Sequence, residues 1–150
     1  MKLVCYAYKN QRGEFQAPFL DYLKKYAISD QDSEKKRHLK LKQLANLESH
    51  LLYLSDHQGR YDLPPVAQKY KNHSIGILKT KESVQLVRIA FFTRTGDKII
   101  LLNAVDKPKL YEKGKKLQVD KMIEKFLDQA EAHKEDYLRN NHSIPLNLNL

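Results

Sequence analysis

Between residues 84 and 107 the chain reads VQLVRIAFFTRTGDKIILLNAVDK, two apolar runs rich in β-branched and aromatic residues around a polar centre. Residues 84–93 and 98–105 are expected to be strands, with Arg94-Thr95-Gly96-Asp97 as the turn between them. Residues 75–79 form a shorter strand-like run, followed by Lys81-Glu82 in a turn, and residues 3–8 make a short opening strand. Elsewhere the period lengthens. Pro18 at a first helical position introduces Phe19, Leu20, Leu23 and Tyr26 on one helical face. The polar stretch Ser29-Asp30-Gln31-Asp32-Ser33 breaks that helix and supplies N-cap candidates for a longer one over about 34–56. In the longer helix Leu44, Leu47, Leu51 and Leu54 recur at helical spacing, and Gln58-Gly59 ends it. The two are expected to form a helical hairpin, the shorter packing on the longer. Asp62-Leu63-Pro64-Pro65 marks the crossing from helices to sheet, because two prolines cannot continue a helix. A last helical stripe runs through Val119, Met122, Ile123, Phe126, Leu127, Ala130, His133 and Tyr137.

The order β-α-α-β-β-β-α defines an α+β domain: an N-terminal strand and helical hairpin, an antiparallel sheet of three to four strands, and a C-terminal helix. A chain of 150 residues suits one core, burying roughly 70% of its unfolded surface. Residues 1–140 are assigned to this single domain and 141–150 to a loose C-terminal tail.

Arg88 is the anomaly in the hairpin, a guanidinium among Leu86, Val87, Ile89 and Phe91. It reads either as part of a solvated edge-strand face or as a fork for an anion such as phosphate. The turn implies a register with Phe92 opposite Ile99, Ala90 opposite Leu101 and Arg88 opposite Asn103. With a preceding turn at 80–83, Lys79 falls opposite Val84. Lys79, Arg88 and Asn103 then share one sheet face, while Val87, Ile89, Phe91, Ile100, Leu102 and Ala104 line the other, which helix must cover.

The charge sharpens this. The 27 Lys and Arg exceed the 18 Asp and Glu, a formal +9, which points to an acidic partner and most often to nucleic acid. Lys35, Lys36, Arg37, His38, Lys40 and Lys42 form one basic cluster, and Lys107, Lys109, Lys113, Lys115 and Lys116 another. A basic helix face is usually only a solvated face, which is the plainer reading of the first cluster. Cys5 is alone, so no internal disulfide is available, and no CxxC or paired Cys/His spacing suggests zinc. No metal or other cofactor is expected. No apolar run has the length of a secretory core or a membrane span, so a cytoplasmic protein without membrane attachment is expected.

The run VRIAFFTRTGDKIILLNAVDKPKLYEKGKKLQVDKMIEKFLDQA resembles the distal half of RelE/HigB-type toxins of bacterial toxin–antitoxin pairs, the phage-associated subgroup in particular. Val87-Arg88-Ile89-Ala90-Phe91-Phe92 stands for that family's Arg-bearing strand, and Ile100-Leu101-Leu102-Asn103-Ala104-Val105 for its Leu-Leu-His-x-Phe-like strand. Residues 107–116 stand for its Lys-rich segment, 119–138 for its last helix and 19–54 for its helical hairpin. The resemblance implies a metal-independent endoribonuclease that cleaves mRNA, commonly in the ribosomal A site, held in check by a cognate antitoxin of helix-turn-helix type. It also implies attack of a 2′-hydroxyl on the adjacent phosphate, which needs a base, cations for the phosphorane and an acid. By position Arg88, Lys79 and Lys107 are the cations. His133 and Tyr137, with Asp136 beside them, stand where the family keeps an acid/base. Asn103, Lys109, Lys113, Lys115, Lys116, Lys35, Lys36 and Arg37 are the RNA-binding candidates. Four positions depart from the pattern: Asn103 for a frequent His, Lys79 for a frequent Arg, Ile77 for an acidic residue, and Asp106 beside Lys107 where lysines are paired. Two alternatives stand beside this reading. One is a ParE-like toxin that inhibits gyrase without nuclease residues. The other is a phage or mobile-element protein that binds nucleic acid without chemistry.

Overall fold

Six strands make the main sheet, in the order β4-β5-β6-β7-β1-β8. The computed structural model describes residues 2–57, 67–69, 75–81, 85–94, 97–108 and 114–147. Along the chain come β1 (Lys2–Tyr6), a small hairpin of β2 (Tyr8–Lys9) and β3 (Phe15–Gln16), α1 (Pro18–Leu23) with a 3-10 turn at Lys24–Tyr26, and α2 (Glu34–Asp56). Then follow β4 (Ala67–Lys69), β5 (Gly76–Lys81), β6 (Gln85–Arg94), β7 (Lys98–Pro108), α3 (Lys116–Asn140) and β8 (Ser143–Pro145). The class is α+β, and the sheet is antiparallel except where β1 runs parallel to β7.

Local chemistry explains the helices. Pro18 starts α1, its missing N–H being one that no helix would satisfy there. Ser33 caps α2 by accepting from the Lys36 backbone N–H at 3.1 Å. The expected end of that helix, Gln58-Gly59, lies outside the described residues, as do Asp62-Leu63-Pro64-Pro65 and Thr95-Gly96. The expected contact between the two helical segments is made through the 3-10 turn, whose Tyr26 joins Leu47 and Leu51 of α2, while α1 packs mainly on β7 and β1 and α2 also on β5.

Both faces of the sheet are covered. Leu3, Cys5, Leu78, Val87, Ile89, Phe91, Ile99 and Leu101 meet Phe19, Tyr26, Leu47, Leu51 and Leu54 from the α1–α2 side. Val4, Tyr6, Ile77, Ala90, Phe92, Ile100 and Leu102 meet Phe126, Leu127, Ala130 and Tyr137 of α3. The expected sheet of three to four strands is therefore too small, and the expected apolar grouping is wrong in β7, where Ile100 and Leu102 face α3. The register explains why. Phe92 pairs with Ile100 and Phe91 with Leu101, one residue off expectation. A β-bulge between Ala90 and Phe91 then shifts the pairing again, so that Ala90 faces Asn103 and Arg88 faces Val105. A slip of one plus a bulge of one restores the original parity: Arg88 and Asn103 share a face after all, although they are not directly opposite.

Of the segment 141–150, expected to be a loose tail, the described residues 141–147 include a paired strand. Asn141 takes a left-handed conformation (φ 56°) at the end of α3, and its N–H donates to the Tyr137 carbonyl at 2.7 Å. The turned chain pairs Ser143, Ile144 and Pro145 with Tyr6, Cys5 and Val4. Proline is tolerated because β8 is an edge strand.

Candidate functional site

Three consecutive strands each send one cation to the α3 side of the sheet. Lys79 on β5 lies directly opposite Arg88 on β6, rather than opposite Val84 as expected, because β5 continues to Lys81. The bulge sets the third. Beyond it Ala104 and Asp106 turn toward the α1–α2 side and Val105 and Lys107 toward α3. Lys79, Arg88 and Lys107 line a cavity of about 100 Å³ whose other walls are Ile77, Ile123, Phe126 and Leu127. Among the described residues no carboxylate lines it. Asp106 points to the opposite face, accepting from Tyr22 Oη and from Lys25 Nζ, each at 2.6 Å. The Asp beside Lys107 therefore does not neutralise that lysine.

The electrostatics of the trio are unfavourable as they stand. Burial, reinforced by Arg88 and Lys107, pushes the Lys79 ammonium below its ordinary value. Burial likewise lowers Arg88. Among the described residues the Arg88 guanidinium meets only its neighbour's carbonyl, Val87 O, at 3.3 Å. Like charges gathered against apolar walls form a site whose free energy improves when an anion enters.

Lys79 and Arg88 also line a second, wider cavity of about 340 Å³, with Asn46 and His50 of α2, Thr80, Lys81 and Leu86. The pair thus stands at the junction between the small cationic cavity and this opening at the sheet edge. His50 was not singled out by spacing, and no linear signal marks it: its place depends on Asn46 donating to Lys81 O at 3.2 Å, which ties α2 to the end of β5.

The remaining candidates are placed elsewhere. Asn103 is buried, its Nδ2 donating to Phe126 O at 3.4 Å and its Oδ1 unpaired. It lines another cavity, of about 480 Å³, together with His133, Tyr8, Asp21, Lys125 and Gln129 among others. His133 stacks on Tyr6 with ring centroids 4.8 Å apart, and burial holds its imidazole below the ordinary histidine value while Asp136 pulls the other way. Asp136 itself accepts from Tyr6 Oη at 2.6 Å. Tyr137, which the resemblance sets in an acid/base position, is 2% exposed and packs edge-on against Phe92, with Arg94 over its ring at 5.8 Å. It follows Ile123 by fourteen residues on α3, a rise of about 21 Å. The phenol that the resemblance put forward as an acid/base is a core residue, as its place on the apolar stripe would have it.

Of the basic clusters, Lys115 and Lys116 are exposed at the start of α3, while Lys109 and Lys113 lie outside the described residues. Lys35, Lys36 and Arg37 open α2, where Lys36 pairs with Asp32 at 3.4 Å and Arg37 donates to Ser29 O and Asp30 O. These side chains build the helix entry, and none lines the Arg88 cavities. Among the described residues no three His, Cys, Asp or Glu side chains are grouped to hold a metal ion, and no helix is long and apolar enough to cross a membrane. No protein-family model matches the chain, and no curated protein matches it.

Proposed function

We propose that this chain is an endoribonuclease of the RelE/HigB toxin kind, with the scissile RNA phosphate held by Lys79, Arg88 and Lys107. One observation carries the reading: three cations from three adjacent strands converge on one small, apolar-walled cavity with no carboxylate lining it among the described residues. A guanidinium and two ammonium groups in a low-dielectric wall suit a phosphorane better than the ground-state diester, because the added negative charge meets donors already in place. No metal is required, since the cations supply the charge that a metal would. On the same reading the cytoplasm is the site of action, mRNA or ribosome-bound mRNA the substrate, and a helix-turn-helix antitoxin the partner that covers the site.

The test is expression without an antitoxin in a bacterial host. Wild-type chain is expected to arrest growth and fragment mRNA, and Arg88→Ala to relieve both while circular dichroism is unchanged. Losing a charge-assisted phosphate contact costs about 2.7 kcal/mol at the transition state, on the order of a hundredfold in rate. A harmless wild type, or an equally toxic folded Arg88→Ala, overturns the proposal. A second reading, a ParE-like gyrase inhibitor, is favoured by the absence of a histidine or carboxylate that could take a proton among the described walls of the small cavity. Intact mRNA with trapped gyrase complexes would select it.

A further inference from the structure

Cleavage by 2′-hydroxyl attack needs a group that takes a proton, and the small cationic cavity offers only groups that hold one. We infer that His50 on α2 is the general base of this site, a step that rests on the nuclease reading above. His50 lines the wider cavity together with Lys79 and Arg88, so a phosphate held by those two would place its neighbouring ribose in the space His50 borders. Position is set by the helix. Asn46 is tied to Lys81 O, and His50, four residues on, lies on the same face of α2 one turn away.

The tautomer is set too. His50 Nδ1 is 2.8 Å from the Asn46 carbonyl oxygen. A carbonyl only accepts, so in the neutral ring Nδ1 carries the proton and Nε2 keeps its lone pair. His57 makes the same contact with Tyr53 O at 2.8 Å, but it stacks on the Tyr53 ring and lines neither of the two cavities that Lys79 and Arg88 border. His133 lies in a different cavity, and His142 packs against Phe15. Among the described histidines, only His50 joins an oriented Nε2 to the walls shared with Arg88. The charged groups facing it across the cavity are Lys79, Lys81 and Arg88, with no carboxylate among the described residues there.

In the step that follows, Nε2 takes the proton of the 2′-hydroxyl as its oxygen attacks the adjacent phosphorus. A new P–O2′ bond forms and the P–O5′ bond breaks. The leaving 5′-oxygen takes a proton from Lys79 Nζ, which burial and its two cationic neighbours make a readier donor. The imidazolium then loses its proton to solvent and Lys79 regains one. The fragments end in a 2′,3′-cyclic phosphate and a 5′-hydroxyl.

The experiment uses the full purified chain, a labelled single-stranded RNA both free and on ribosomes, and the variants His50→Gln and Arg88→Ala. Wild type is expected to leave cyclic-phosphate ends and to slow on the acid side with the loss of one proton site. His50→Gln should bind RNA within about twofold of wild type, cleave at least a hundredfold more slowly and lose that acid-side dependence. Arg88→Ala should weaken binding and cleavage together. Cleavage by a folded His50→Gln at the wild-type rate and pH profile overturns the inference and leaves the nuclease reading standing. Should His50→Gln fail to fold, His50→Ala with added imidazole decides: restored cleavage supports the base, and no restoration overturns it. A wild type that cleaves neither substrate removes both the inference and the reading beneath it.

Discussion

At the scale of single residues, the α3 side of the sheet holds two polar centres with different demands. Lys79, Arg88 and Lys107 are charged and, among the described residues, lack a carboxylate counterpart, which favours an anion from outside. His133 is the opposite case. Burial against the Tyr6 ring disfavours its imidazolium, so the folded chain binds a proton there less readily than the unfolded chain does. The sign follows from linkage: as pH falls through the unfolded histidine value, about 6.5, the unfolded state takes up more protons and folding weakens. Asp136, whose carboxyl the Tyr6 hydroxyl holds below its ordinary value, acts in a separate and more acid window. Thermal melting of wild type and His133→Gln between about pH 7.5 and pH 5 checks this, spanning the histidine range. The wild type should lose more stability than the variant over that interval, and parallel curves would show that His133 contributes nothing to the acid sensitivity.

At the scale of elements, the Phe91 ring of β6 lies over the glycine that opens β5, its partner across the ladder. A Cβ built on Gly76 would meet the Phe91 ring at 2.5 Å, 2.8 Å and 2.9 Å. Phe91 is fully buried among Leu78, Ile89 and Leu101, so its ring has little room to give. Gly76→Ala should therefore destabilise by about 1–3 kcal/mol, the usual range for overpacking a filled core. For a chain of this size each kcal/mol is about 2–4 °C in Tm, so a drop of several degrees in a melting scan is the expected result. An unchanged Tm would mean that the ring rotates aside freely. The bulge in β7 is the other device at this scale. It lets Leu102 enter the α3 core while Asn103 bonds the same helix, and it turns Lys107 toward Arg88 and Asp106 toward Lys25. A regular strand would exchange the faces of Asp106 and Lys107 and set a carboxylate against the cation pair.

For the whole molecule, a charge of +9 predicts binding to any polyanion, and only the location of the cations makes it selective. RNA binding should weaken steeply with salt, each neutralised phosphate of a single strand adding about 0.7 to the log–log slope. Lys107→Ala should lower that slope by about one contact's worth. Lys35→Ala should leave it unchanged, because Lys35 precedes His50 by fifteen residues on α2, a rise of about 22 Å. Titrations at several salt concentrations separate the two. Equal losses for both variants would mean that RNA binds the basic surface at large.

The linear pattern determined whatever depends on near neighbours in sequence. Ser33 could be read as a cap, Pro18 as a first helical residue, Leu44 to Leu54 as one stripe, and residues 84–107 as a hairpin carrying Arg88, because propensity, capping and period act over a few residues. Asn103 joins Lys79 and Arg88 on one face only because a register slip of one and a bulge of one cancel, which no local signal foretells. Only the tertiary structure decided how the strands align. Both sheet faces are packed under helices, so alternation of apolar and polar residues, the signal that sets register, is missing from the centres of β6 and β7. The bulge, the turning of Asp106 away from Lys107 and the short β8 were invisible for that reason. His50 and Tyr137 exchanged standing on the same ground. A side chain's service at a site depends on what lies across from it in space: α2 comes to the Arg88 end of the sheet by packing on β5, where Asn46 bonds Lys81 O, whereas the stripe through Tyr137 carries it into the core beside Phe92.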